Sequence, residues 1–264
     1  KGRGTIFFNV LEYITAKQPK IFVLENVKGL VVLDGGKCLK TILKALHSIK
    51  PPAGGEPCYE VHHRVLNTKD HGVPQSRPRW YCVGIHRSTF AGSDTSLFRF
   101  PEGIPCMPIE DLLDPDVKPE LQIPSPQVSK TAFDNIKTAE IGIRKEGHNP
   151  KDETFIVDCD ASKSRFRYIL GRSPCITRSR GNGHWITSRN RRMNKEEMLR
   201  LQGINPQTFK VACSEKALGH QIGNGMSLNV IERILRSAIT AANLAPPEWD
   251  QAPERWHHGL AQAD

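Results

Sequence analysis

The amino-acid sequence predicts an α/β fold, and three observations predict it. Ile21-Phe22-Val23-Leu24 is an apolar run set between Pro19 and Lys28-Gly29, the signature of a buried strand. Helical patterns flank that run on both sides. Two further strand-like runs follow, so strand, helix, strand, loop and strand succeed one another along the first hundred residues.

Taken in order, Phe7, Val10, Leu11 and Ile14 recur at helical spacing, and residues 5–17 read as an amphipathic helix. The Ile21–Leu24 strand follows and stops on Glu25. Ligands of open α/β sheets bind beyond the carboxyl ends of the strands, where Glu25 would stand. Taken alone, a Glu in such a place is more often solvated or capping than catalytic. Cys38 to Ile49 reads as a second helix, with Leu39, Ile42, Leu43 and Leu46 on one face, and Pro51-Pro52 and Gly54-Gly55 then break the chain. Tyr59–Leu66 and Trp80–Ile85 read as strands bracketing a loop from His71 to Arg79. From Phe100 to about Pro150, prolines at 101, 105, 108, 115, 119, 124 and 126 leave only short elements such as Ile109–Leu113, which predicts a second, irregular region. Helical order returns at Asn194, a cap with Glu197 three residues on and Gly203 as the stop. The last helix carries a stripe of Leu228, Ile231, Ile234, Leu235, Ala238, Ile239 and Ala242. Beyond Ala245 no periodicity remains. The expected organisation is therefore α/β over 1–99, an irregular region over 100–190, a return segment over 191–244 and a flexible tail over 245–264.

Composition bounds the function. At 264 residues the chain can bury one large core or two smaller ones. Hydrophobic content of 38% and charged content of 25% are ordinary for a globular protein, and a net charge of +9 suggests a polyanionic partner. No apolar run reaches the length of a membrane span, and no secretory signal opens the chain. The seven cysteines, at 38, 58, 82, 106, 159, 175 and 213, include no C-x-x-C pair, so neither a metal site nor a disulfide framework is expected. A reducing, intracellular compartment follows, the nucleus of a eukaryote or the cytoplasm of a bacterium.

Three constellations can carry chemistry. Between Ala161 and Lys195 there is no Asp or Glu, yet ten Lys or Arg, with glycines at 171, 181 and 183 among them. Arginine forks suit phosphate oxygens and guanine edges, and glycines let a backbone approach a duplex closely. Nucleic acid is favoured over a merely solvated basic face, and Arg165, Arg167, Arg172, Arg178, Arg180 and Arg189 are the candidate contacts. Gln75-Ser76-Arg77-Pro78-Arg79 places two arginines at alternate positions, which in an extended segment aims both guanidinium groups one way. Gly219 to Met226, ahead of the last helix, reads as a glycine loop offering backbone N–H groups to a ligand.

In this order, these segments resemble the cytosine-C5 DNA methyltransferase family. Leu24-Glu25-Asn26-Val27 is similar to its E-N-V motif, and Gln75 to Arg79 to its Q-x-R-x-R motif. Leu199-Arg200-Leu201-Gln202-Gly203 resembles the helix before its last motif, and Gly223-Asn224 the G-N segment of that motif. Arg3-Gly4-Thr5-Ile6-Phe7-Phe8 looks like its R-G-x-L-F-x helix start, and the resemblance covers residues 2 to 244. It implies part of a Rossmann-like class I methyltransferase sheet, a smaller target-recognition domain, and methyl transfer from S-adenosylmethionine to C5 of a cytosine flipped out of double-stranded DNA. It gives Glu25 the N3 and amine edge of that cytosine and Arg79 its O2, with Arg77 positioning Glu25 or the DNA backbone. Gly223 and Asn224 would help form the cofactor pocket.

The sequence departs from the family where the nucleophile should stand. Pro57-Cys58, Pro105-Cys106 and Pro174-Cys175 lack the Gln or Asn that follows the family's Pro-Cys, and all lie downstream of Glu25. The glycine-rich cofactor motif is absent too, and the chain begins at Lys1 with no lead-in strand. The expectation is a fragment, or one half of a split enzyme whose partner chain brings the cysteine, inactive alone. Gly225 stands where the family more often has Ser. The alternatives are a non-catalytic DNA-binding relative, which would have no use for Glu25, and a tRNA-directed member of the family.

Overall fold

The computed structural model describes residues 5–90, 92, 95–115, 126–246, 249 and 254–258. Contacts divide the chain into two compact units, the first comprising Lys1–Leu66, Pro78–Glu102 and Ile231–Pro253, the second Asn67–Arg77, Gly103–Val230 and Glu254–Asp264. The division differs from the boundaries that the sequence suggested, because the loop between two strands of the first unit belongs to the second. Arg3 and Gly4 of the R-G-x-L-F-x segment lie outside the described residues. No helix among the described residues is long and apolar enough to cross a membrane.

In the first unit, α1 (Ile6–Lys17) leads to β1 (Ile21–Val27), α2 (Lys37–His47), β2 (Tyr59–Asn67) and β3 (Pro78–His86). The helix α1 ends because Gln18 adopts a left-handed conformation and returns its N–H to the Ile14 carbonyl at 2.8 Å. The sheet order is β1-β3-β2, with β3 running antiparallel to β1 from Ile21↔Ile85 to Val27↔Arg79. Pairing therefore outlasts the apolar run. Glu25 lies inside the strand, opposite Tyr81, rather than just past its end. One sheet face, carrying Phe22, Leu24, Trp80 and Cys82, packs with Ile14, Leu46 and Tyr59 into the core of this unit. Each such large side chain contributes about 1.5–3 kcal/mol on full burial.

The second unit corrects the expectation of an irregular region. It holds α3 (Pro126–Lys145), interrupted at Ser129, and a four-stranded antiparallel sheet of β4 (Phe155–Val157), β5 (Tyr168–Leu170), β6 (Trp185–Ile186) and β7 (Arg191–Arg192) in the order β5-β4-β6-β7. Ala132, Ile136, Ala139 and Ile143 are wholly buried and pack with Phe155, Val157 and Trp185. The stripe is half alanine, so its hydrophobic periodicity is faint, and strands of two or three residues show no alternation to read.

Three more helices close the chain: α4 (Lys195–Arg200), α5 (Glu215–Asn224) and α6 (Leu228–Ala241). The capping box at the start of α4 is present as the sequence predicts, Asn194 and Glu197 each bonding the other's backbone N–H. The glycine loop is not a loop. Gly219 and Gly223 lie inside α5, which Ser214 caps. The stripe of α6 is also rotated from its expected position, for Val230, Ile234 and Ala238 are buried while Leu228 and Leu235 are 37% and 38% exposed. At its start, the buried Asn229 Nδ2 donates to the His71 carbonyl at 2.6 Å and the Thr68 carbonyl at 3.3 Å. The tail likewise departs from the expectation of a loose end. Its Trp256, in a turn over Arg255–His258, is 1% exposed and belongs to the core of the second unit.

Candidate active site

Glu25 and Arg79 meet across the β1–β3 ladder. Val27 pairs with Arg79 and Glu25 with Tyr81, so Glu25 and Arg79 are diagonal neighbours on one sheet face. Arg79 Nε donates to Glu25 Oε1 at 3.0 Å, and the two side chains are 11% and 17% exposed. Arg79 Nη1 also donates to the Pro78 carbonyl at 3.0 Å, which fixes the plane of its guanidinium. A carboxylate clamped beside a guanidinium offers acceptors next to donors, the pattern that complements a pyrimidine edge. Tyr81, opposite Glu25 and 1% exposed, belongs to the same face and was missed. The alternation of Arg79, Trp80 and Tyr81 along β3 was the signal that could have found it.

Arg77 belongs to the second unit and is bonded there. The strand begins only at Pro78, so the two-residue alternation does not reach Arg77. Its backbone N–H instead bonds Asn67 Oδ1 at 2.8 Å, and its guanidinium is buried in the second unit. There Nη1 donates to the Ile176 carbonyl at 2.7 Å and Nη2 to the carbonyl of Gly225 at 2.6 Å, with Gly223 O at 3.3 Å. Gly225 caps the C-terminus of α5, where orphan carbonyls and the helix dipole favour a cation. Gln75, wholly buried, accepts from the Ile176 N–H at 3.0 Å and donates to the Leu201 carbonyl at 2.6 Å. Arg77 and Gln75 therefore tie the three motif segments together by their backbones.

Gly223 has no room for a side chain. A Cβ there would run into the backbone of Thr177 and Arg178, and one at Gly219 would run into Gly181. The two glycines, one helical turn apart, let the Thr177–Gly181 backbone lie directly on α5. The Gly223 carbonyl faces Arg77, whereas Asn224 is exposed.

The basic segment is less open than its sequence suggests. Arg180 Nε pairs with Asp158, Arg192 makes a two-pronged pair with Asp160 at 2.8 Å, and Arg191 pairs with buried Glu197 at 2.7 Å. The compensating acids lie just outside the acid-free window. Arg165, Arg167, Arg172 and Arg178 are exposed, while Arg189 is half-buried. Behind Arg180, His184 is buried with Nδ1 3.7 Å from Asp158 Oδ1. Burial, reinforced by Arg180 against the opposing pull of Asp158 and Asp160, holds its imidazole below the ordinary range.

Three buried cysteines are held as thiols. Cys82, one position from Tyr81, faces the other side of the sheet and burial pushes it up to about 12. Burial raises Cys58 as well and takes Cys159 to about 12, so these three are thiols at neutral pH.

The fold is that of the class I methyltransferases. The Schizosaccharomyces pombe Dnmt2 methyltransferase superposes with a TM-score of 0.53 over 90% of this chain and 72% of its own, at 17% identity. The Entamoeba histolytica methyltransferase EhMeth does so with a TM-score of 0.54 over 92% of this chain and 68% of its own, also at 17% identity. The family model for C-5 cytosine-specific DNA methylases matches residues 1–240, and the chain belongs to that family. Among its relatives, the type II methyltransferase M.NgoBI of Neisseria gonorrhoeae is 34% identical over 87% of this chain and 64% of its own length. M.HaeII of Haemophilus aegyptius is 31% identical over 95% of this chain and 70% of its own. The chain thus spans about two thirds of the length of these relatives.

Proposed function

We propose that the chain is the target-binding portion of a DNA (cytosine-5-)-methyltransferase. The observation that carries this reading is the Glu25–Arg79 pair, built on adjacent strands of a chain that belongs to the cytosine-specific family. Glu25 accepts the hydrogen bond of the cytosine amine and holds a proton at N3, and Arg79 donates to O2. Both contacts stabilise the negative charge that spreads over the ring when a nucleophile adds to it. Arg165, Arg167, Arg172 and Arg178 supply contacts to double-stranded DNA, with Arg189 at their margin, while Arg180 serves mainly to fix its own turn. The methyl donor that the family implies is S-adenosylmethionine, toward which this chain offers Asn224. A duplex substrate places its work inside the cell.

The attacking cysteine comes from a polypeptide segment other than residues 1–264, joined to this chain or separate from it. Tritiated methyl transfer from S-adenosylmethionine to a cytosine-containing duplex tests the assignment. The 264-residue chain alone should transfer nothing, and transfer should appear when a family polypeptide bearing the Pro-Cys segment is added. Glu25→Gln should then lower turnover by about 10²–10³-fold while duplex affinity stays within about threefold. Methylation by the chain alone refutes the division of labour. Equal loss of turnover and affinity refutes the role of Glu25. Preference for tRNA over duplex in competition moves the substrate to the runner-up.

A further inference from the structure

The tail contributes a side chain that neither the family match nor the proposed chemistry uses. Trp256 lies beyond residue 240, where the family model ends, yet its side chain is 1% exposed in the core of the second unit. Its two ends rest on two glycines that are far apart in sequence. A Cβ on Gly72 would lie 2.5 Å from the Trp256 carbonyl oxygen and 3.3 Å from its Cβ. A Cβ on Gly203 would lie 3.1 Å from the far edge of the indole ring, at Cη2. Both glycines have positive φ, 93° and 78°, so each is required twice, by its backbone and by the tryptophan.

What the two glycines precede and follow gives the contact its meaning. Gly72 opens the run that reaches Gln75 and Arg77, and its carbonyl accepts from the Met107 N–H at 3.1 Å. Gly203 closes Leu201-Gln202-Gly203, in which the Leu201 carbonyl takes the Gln75 amide at 2.6 Å. Gln202 in turn donates to the Ile222 carbonyl at 2.8 Å and accepts from Ser227 Oγ at 2.9 Å. Trp256 thus touches the same two backbone segments that Gln75 cross-links, Gly72 through its main chain and Cβ and Gly203 through its ring. Its Nε1 is buried and has no acceptor among the described residues, so the ring acts by shape.

We propose that Trp256 is a positioning residue: a plug from the tail that fixes the spacing between the 72–77 run and the 201–203 turn. Through Gln75 and Arg77 it then holds the backbone at Cys175–Ile176 and Gly223–Gly225. Its importance for DNA rests on the proposed function, but the packing role does not.

Hydrogen exchange read by mass spectrometry on the full chain tests it. Trp256→Ala should speed exchange at residues 71–77, 201–204 and 222–226 by about a hundredfold or more, while α1 and α2 keep their native rates. Trp256→Phe should restore protection to within about tenfold, because the lost N–H makes no bond. Unchanged exchange at those segments, or equal damage from Phe and Ala, overturns the proposal. If Trp256→Ala does not accumulate as folded protein, a protease site inserted between Gln251 and Ala252 allows the tail to be cut from the native fold. Faster exchange at 71–77 after cutting supports the plug, and native rates there overturn it. Duplex affinity, measured alongside, should fall about tenfold in Trp256→Ala and stay native in Trp256→Phe. A native chain that binds no duplex counts against the nucleic-acid reading and leaves the exchange result standing.

Discussion

At the scale of single residues, two arginines separated by one proline end in different environments. Arg79 is the first side chain that the β1–β3 pairing can direct, and it reaches Glu25; Arg77 precedes the strand and goes to carbonyl groups of the second unit. The motif was legible in the sequence, and the family resemblance gave Glu25 and Arg79 separate contacts to one cytosine, but their direct pairing comes from the strand register. The destination of Arg77 was not legible, because it depends on carbonyls about a hundred residues or more away. Arg77→Ala leaves buried acceptors at Ile176 and Gly225 unmet and should cost about 3 kcal/mol or more in urea unfolding. Arg77→Lys should recover only part of this, since a point charge cannot fork between two carbonyls. His184 gives a pH signature. It is held neutral by burial, so below its ordinary value near 6.5 the unfolded chain takes up a proton that the folded chain resists. Stability should be flat in His184 above that value and fall on acidification, by at most about 1.4 kcal/mol per pH unit, until the depressed folded pKa is reached. His184→Gln should flatten that part of the profile, as thermal melts between pH 7 and 5 would record.

At the scale of elements, glycine was the residue most easily misread. Gly219 and Gly223 depress helix propensity enough for α5 to look like a loop. Their purpose is the face they clear for Thr177–Gly181. Gly223→Ala gains helix propensity but meets backbone that cannot yield, and should destabilise by about 1–3 kcal/mol. Gly225→Ser is the contrasting case: φ is −67° and a Cβ there meets only van der Waals contact, so stability should change by less than about 0.5 kcal/mol. Equal denaturation midpoints for the two variants would contradict this account of α5. The first hundred residues were more legible because α1, β1, α2, β2 and β3 each carry full-length apolar patterns. The second unit was not, since its strands are two or three residues long and α3 buries alanines.

At the scale of the whole molecule, net charge of +9 overstates what faces a polyanion. Arg180, Arg191 and Arg192 are matched by Asp158, Glu197 and Asp160. If the exposed Arg165, Arg167, Arg172 and Arg178 make the phosphate contacts, log K for a duplex should fall with log salt at a slope of about −3.6, rather than the slope of about −6 that the paired arginines would bring it to. A slope near −6 from titrations over a range of salt would restore the paired arginines to the interface. The division of the chain carries a last consequence, for recombination. The second unit is assembled from three separate stretches, Asn67–Arg77, Gly103–Val230 and Glu254–Asp264. A graft that exchanges residues 100–190 with a relative's recognition region would leave Gln75 and Arg77 facing foreign backbone at position 176 and Trp256 in a core of foreign side chains. The heritable module is discontinuous, and a transplant should keep its fold only when the short loop and the tail travel with the body.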